Sequence, residues 1–137
     1  MRPSKEEYYL GIALAVSKRS TCLKRHYGCV IVKDDVIIAT GYNGSPRGCE
    51  NCCDVGVCKR LDKPHNSGDY SDCHSVHAEQ NAILSASRSK MMGAELYLAG
   101  EEADGSEAYE VYNIKPCPIC SKMIMNSGIS RIITKEV

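Results

Sequence analysis

Pro116-Cys117-Pro118-Ile119-Cys120, near the end of a 137-residue chain, is the stretch on which the architecture turns. Thiols at i and i+3 project from one face of a helix toward one point, and Pro118 falls in the first helical turn, where its missing N–H costs nothing. A helix starting here presents both sulfurs at its positive end, which favours thiolate, the form that binds metal. Upstream, His77-Ala78-Glu79 offers one imidazole and one carboxylate. The two stretches together supply three zinc ligands, His77, Cys117 and Cys120, and leave Glu79 over. Structural zinc usually takes four protein ligands, whereas catalytic zinc takes three and keeps its last position for water. The pattern predicts the second kind.

A single compact domain spanning residues 1–137 is expected at this length, large enough to bury roughly two thirds of the unfolded surface. Basic and acidic residues balance at 17 each, so the attraction that drives phosphate-backbone binding is missing and no long nucleic acid is expected as a partner. The apolar stretch from Leu10 to Val16 is preceded by Glu6 and Glu7 and closed by Lys18 and Arg19, the wrong charge order for a secretion signal. Ser4 with Glu7 makes a capping box ahead of Tyr9, Ile12, Ala13 and Val16 at helical spacing, which predicts a first amphipathic helix. No apolar run approaches the roughly 20 residues of a membrane span, and a cytoplasmic protein is expected. Its nine cysteines are then thiols or metal ligands rather than disulfides.

Beyond the first helix, Gly28 to Lys33 and Val36 to Gly41 are β-branched runs joined at Asp34-Asp35, which predicts a hairpin. Gly41-Tyr42-Asn43-Gly44 ends the second strand in a tight turn that presents Asn43. Ser45 to Val76 carries five of the cysteines and little periodicity, an unusual length of loop unless something ties it down. Helical patterning resumes from His77 to Arg88, Ala94 to Ala99 is a strand candidate, and a further helix runs from Cys117 to about Ser127. Gly128 is placed to stop that helix, and Ile129 to Thr134 reads as a final strand. This α-β-β-α-β-α-β order implies a mixed sheet with helices on both faces.

Zinc lowers the pKa of a bound water to about 7, and Glu79, two residues beyond His77, is close enough to take that proton and deliver it onward. The competing reading is a structural zinc completed by one more cysteine, with Glu79 a solvated helix residue. A lone Cys-x-x-Cys favours that alternative. His-x-Glu joined to Pro-Cys-x-x-Cys is far more restrictive and is the signature of zinc deaminases.

The chain resembles the deoxycytidylate (dCMP) deaminase family of the cytidine deaminase superfamily. The matching pieces are Ser20-Thr21-Cys22, Gly41-Tyr42-Asn43-Gly44-Ser45-Pro46, His77-Ala78-Glu79-Gln80-Asn81-Ala82-Ile83 and Pro116-Cys117-Pro118-Ile119-Cys120, spread over most of the chain. The resemblance implies a three-layer α/β/α sandwich with a mixed central sheet and a zinc held by His77, Cys117 and Cys120. It also implies Glu79 as proton shuttle, Asn43 hydrogen-bonding the deoxyribose, and the backbone N–H groups of Ala78 and Cys117 contacting the base. The implied reaction is hydrolytic loss of the cytosine amino group from dCMP, giving dUMP and ammonia. A monophosphate needs cationic or N–H contacts, for which Lys24, Arg25, Arg47 and Arg88 lie near matched motifs. Arg88 is the foremost candidate, at a position often basic in the family, for a phosphate or a subunit interface.

Several family members carry cysteines or histidines that bind a second, structural zinc at the places of Cys22, Cys52, Cys58 and Cys73, with Cys49, Cys53, His65 and His74 as substitutes, a site that would tie down the long loop. Cys29 falls inside an apolar strand and is read as a core residue. Two features depart from the family. Gly100 to Lys115 is an acidic segment, longer than usual before the Pro-Cys motif, whose Tyr109 or Tyr112 is placed to stack on the base or close the pocket, an exposed flap being the alternative. The chain also reaches Val137 without the family's usual C-terminal helix and strand, which leaves a sheet edge to protect and predicts a homo-oligomer, a dimer or hexamer. The functional alternatives are a deaminase of another cytosine or purine nucleoside or base, and a non-catalytic zinc-stabilised interaction module.

Overall fold

The computed structural model describes residues 1–56, 73, 75–104 and 107–137. Helix α1 (Lys5–Ser17) begins as its capping box dictates: Ser4 Oγ accepts from the Glu7 N–H at 3.1 Å and the Glu7 carboxylate accepts from the Ser4 N–H at 3.4 Å. Its buried residues, Tyr9, Ala13 and Ser17, recur every four positions and form the stripe laid on the sheet. Close approach is possible because β1 (Arg25–Lys33) carries Gly28 beneath the helix, where any Cβ would collide with the Ala13 carbonyl.

Strands β1 and β2 (Val36–Tyr42) pair antiparallel through a two-residue turn in which Asp34 and Asp35 both have positive φ, 51° and 61°. That is the turn hand that matches strand twist, and aspartate tolerates it. The Tyr9 hydroxyl donates to Asp35 Oδ1 at 2.5 Å and Lys5 pairs with the same carboxylate at 2.8 Å, fastening α1 to the hairpin tip. The hydrogen bond to Asp35 is the chief reason the Tyr9 phenol is pushed up to about 12.

The expected helix from His77 to Arg88 is two pieces, α3 (Ala78–Leu84) and α4 (Arg88–Met91), following a short α2 (Cys52–Val55). The first piece ends at its C-cap Ser85, whose hydroxyl turns back onto the Asn81 carbonyl at 2.9 Å, a local bond that suits helix ends better than interiors. Strand β3 (Glu95–Asp104) outruns the predicted Ala94 to Ala99 and folds back as β4 (Glu107–Glu110), so the acidic segment continues the sheet. Helix α5 (Pro118–Asn126) and strand β5 (Arg131–Thr134) complete the chain.

The sheet runs β2-β1-β3, and the second edge of β3 is shared: β5 lies parallel to Glu95 through Leu98, and β4 lies antiparallel to Glu101 through Asp104. Alternation along the strands divides the interior. Val30, Val32, Tyr97, Ala99 and Ile133 face Tyr9 and Ala13 of α1, while Cys29, Ile31, Leu96 and Leu98 face Ala78, Ala82 and Ile124 of α3 and α5. Helices therefore cover both faces, and the three-layer mixed α/β sandwich is the observed fold. On the second face Gly41 admits α3, since a Cβ there would stand 2.5 Å from the Ala78 carbonyl oxygen. Among the described residues, no helix is long and apolar enough to cross a membrane.

Candidate metal centre and active site

Two helix N-termini meet on the α3–α5 face. His77 is the N-cap of α3, its backbone N–H donating to Gln80 Oε1 at 2.9 Å, and Cys117 is the N-cap of α5, its sulfur accepting from the Cys120 N–H at 3.4 Å. Both caps hold extended backbone, ψ 154° and 163°, which swings the side chain across the helix mouth. His77 Nδ1 consequently lies 3.2 Å from the Cys120 sulfur and 3.5 Å from the Cys117 sulfur, all three donor atoms falling within 4.8 Å of one another. Tetrahedral zinc with bonds of about 2.0 Å to nitrogen and 2.3 Å to sulfur separates such atoms by roughly 3.5 Å. The residues present fit zinc, with Nδ1 as the imidazole ligand.

Electrostatics agree with that fit. Burial, with the Glu79 carboxylate adding, holds the Cys120 thiol far above its ordinary value. A cation among these donors reverses both influences, because a coordinated thiol is deprotonated outright. Glu79 is 4% exposed and its carboxyl adjoins the Cys120 sulfur without belonging to the three-ligand group. Burial raises its proton affinity, and the backbone, His77 and Cys120 only partly offset this. A carboxyl so placed holds a proton more readily than one in water.

Asn43 is buried at the end of β2 and bridges β1: its Oδ1 accepts from the Tyr27 N–H at 2.8 Å and its Nδ2 donates to the Arg25 carbonyl at 2.9 Å. An amide keeps one further N–H and lone pair after two such bonds. Ala78 is fully buried as the first residue of α3, where its N–H has no intrahelical acceptor. Arg88 is not brought to the metal centre. Its Nε donates to the Asn126 carbonyl at 3.1 Å, capping the C-terminal end of α5, roughly 13 Å along the helix from Cys117.

Cys22, Cys52 and Cys73 are half-buried, whereas Cys49 and Cys53 are exposed. Cys58, His65 and His74 lie outside the described residues, so the four-cysteine set is not described as a unit. Among the described residues, His77, Cys117 and Cys120 form the one gathering of three such ligands. Cys29 is fully buried in β1, as expected of a core residue. Tyr109 and Tyr112 are exposed, and the Lys135 ammonium sits 5.3 Å above the Tyr112 ring. Sequence reasoning missed Gln80, which fixes the His77 backbone; its position three residues after an N-cap was the available signal. A separate cleft of about 800 Å³ is lined by Gly41, Ser45, Arg47, Asn81 and Leu84 among others, and His77, Cys117 and Cys120 do not border it.

Comparison with known proteins places residues 3–136 within the cytidine and deoxycytidylate deaminase zinc-binding region. The chain is 38% identical over 133 residues to the deoxycytidylate deaminase of Schizosaccharomyces pombe, matching 96% of this chain but 37% of that protein. It therefore spans little more than a third of that relative's length. It is 39% identical to the deoxycytidylate deaminase of Mycobacterium phage D29, covering 96% of this chain and 94% of the phage protein. Among solved structures, the dCMP deaminase of cyanophage S-TIM5 in complex with dCMP and dUMP is similar with a TM-score of 0.65 and 30% identity, over 96% of this chain and 81% of that one.

Proposed function

We propose, from the premise that this chain belongs to the cytidine and deoxycytidylate deaminase family, that its zinc site converts dCMP and water to dUMP and ammonia. The observation that carries the reading is Glu79, a buried carboxyl beside the zinc ligands that is spare to their coordination. The naming of the phage and fungal relatives as deoxycytidylate deaminases supports dCMP over other amidines.

Zinc, when held by His77, Cys117 and Cys120, supplies the Lewis acidity that brings the pKa of water near 7. Glu79 would accept the proton that water loses and pass it to N3 of the cytosine ring as oxygen adds at C4, then take the second proton from the C4 hydroxyl and deliver it to the amine, which departs as ammonia while C4 becomes a carbonyl. In this reading the Ala78 N–H donates to the base, and the remaining amide capacity of Asn43 serves the deoxyribose. Because α3 and α5 fix these groups to a packed sheet, the geometry needs little reorganisation at the moment of reaction.

The 137 residues act, in this reading, as one deaminase domain in the cytosol. A second, structural zinc at Cys22, Cys52, Cys58 and Cys73 would tie down the cysteine-rich segment, and a homo-oligomer would cover the exposed Leu84, Ile119 and Met125. Ammonia release from dCMP, deoxycytidine, cytidine, dCTP and guanine tests the substrate. The highest kcat/KM is expected for dCMP, and no turnover of dCMP would overturn the assignment. Zinc analysis and sedimentation test the other two points, with two equivalents per chain and a species larger than 15.0 kDa expected.

A further inference from the structure

Arg25 opens β1 on the face shared by Tyr27 and Cys29, the face turned toward α3 and the zinc ligands. Its guanidinium is 21% exposed and has three sets of donors to satisfy. Nη1 donates to the Tyr27 hydroxyl oxygen at 3.1 Å. Nη2 pairs with one oxygen of Glu102, its cross-strand neighbour on β3, at 2.6 Å. Nε, sealed from solvent, has no acceptor among the described residues.

Nε and Nη2 point from the same edge of the guanidinium, the edge on which carboxylates and phosphates seat two oxygens at once. Glu102 fills half of it. A pair built only to join two strands would be expected to fill both positions, because a buried donor left unmet is costly. The residue is also wired to the site: Asn43 bonds its carbonyl, and Tyr27, next on the same face, lies within the electrostatic reach of Glu79. The guanidinium thus lies on the sheet face against which α3, the helix of Glu79, is packed, one step along that face from Tyr27.

We propose that the Nε–Nη2 edge of Arg25 receives the 5′-phosphate of a deoxynucleoside monophosphate, and that Glu102 is a placeholder which yields that edge on binding. This rests on the deaminase reading above and deepens it by assigning the group that separates a nucleotide from a nucleoside. A phosphate has the oxygens to meet both donors and carries more charge than the carboxylate it replaces. Glu102 is 28% exposed, so its displaced carboxylate has water to turn into. The fork geometry makes lysine an incomplete substitute.

Calorimetric titration of the zinc-loaded protein with dUMP and with deoxyuridine tests this, alongside turnover of dCMP and deoxycytidine. Arg25→Gln is expected to weaken dUMP at least tenfold and deoxyuridine less than twofold, Arg25→Lys to recover only part of the loss, and Glu102→Gln to tighten dUMP several-fold. Equal losses of the two ligands in Arg25→Gln, weaker dUMP binding in Glu102→Gln, or a wild type that binds dUMP no better than deoxyuridine would each overturn the proposal. Should Arg25→Gln fail to fold, Arg25→Lys and Glu102→Gln decide the matter. A wild type that discriminates dUMP through Arg25 yet leaves dCMP unreacted would sink the deaminase reading and spare the phosphate receptor; turnover of dCMP indifferent to Arg25 would do the reverse.

Discussion

Nδ1 of His77 stands 3.2 Å from the sulfur of Cys120, although forty-three positions of chain separate the two residues. The contact gathers three soft donors at the meeting of α3 and α5, so the ion they suit also clamps one helix mouth to the other. Metal binding of that kind is coupled to folding stability. At free zinc about 1,000-fold above its Kd, linkage contributes about 4 kcal/mol. Chelation is expected to lower the melting temperature by roughly 10 °C or more, and Cys120→Ala to lose one zinc equivalent and show a smaller response to chelator. Metal analysis paired with calorimetric melting checks both, and a melting point indifferent to chelator would contradict them.

Glu79→Gln keeps the shape of the side chain and removes its capacity to carry a proton. General acid–base groups contribute about 10²–10⁴-fold, so kcat for dCMP is expected to fall by that factor while zinc content holds at the wild-type level. Loss of zinc in this variant would instead make Glu79 a ligand and the site a structural one.

The gathering of His77, Cys117 and Cys120 was legible in the sequence because cap and first-turn positions at fixed spacing dictate geometry locally: Cys117, Pro118 and Cys120 need only a helix to converge. The capping box at Ser4 and the turn at Asp34-Asp35 were legible for the same reason. What lay hidden depends on partners distant in the chain. Strand β4 and the extension of β3 are rich in glutamate, which ordinarily argues against strand; here Lys18, Arg25 and Lys135 pair with Glu101, Glu102 and Glu110. Arg88, read from its place after the His77 motif as a contact for a phosphate or a subunit interface, donates to the Asn126 carbonyl at the far end of α5, a partner that local spacing does not announce.

Asn43 is a buried amide that ties the end of β2 to the start of β1. Replacing it with alanine strands the Tyr27 N–H and the Arg25 carbonyl, each at about 1–3 kcal/mol if left unmet. Asn43→Ala is therefore expected to lose about 2–4 kcal/mol of stability and, with the start of β1 no longer held, to raise KM for dCMP more than it lowers kcat. Urea titration and steady-state kinetics on the folded fraction measure the two effects. A variant of wild-type stability would show that water replaces both bonds.

Glu101 gives the fold an acid limit whose sign follows from its partners. The Lys18 ammonium at 2.5 Å, with His26 Nδ1 at 3.1 Å, holds the carboxyl below its ordinary 4.5 against the opposing pull of burial. As pH falls through about 4.5 the unfolded chain takes up this proton before the folded one does, so the unfolded state binds more protons and stability declines with falling pH. The contribution is fully present above that value and is lost as the folded carboxyl itself titrates. Glu101→Gln is expected to be less stable than wild type at pH 7 by about 1–2 kcal/mol, a figure kept low because Lys18 is largely exposed. Between pH 5 and pH 3 its urea midpoint should fall less steeply than that of the wild type. Parallel slopes for the two proteins across that interval would mean that the Lys18–Glu101 pair adds nothing to the native state's tolerance of acid.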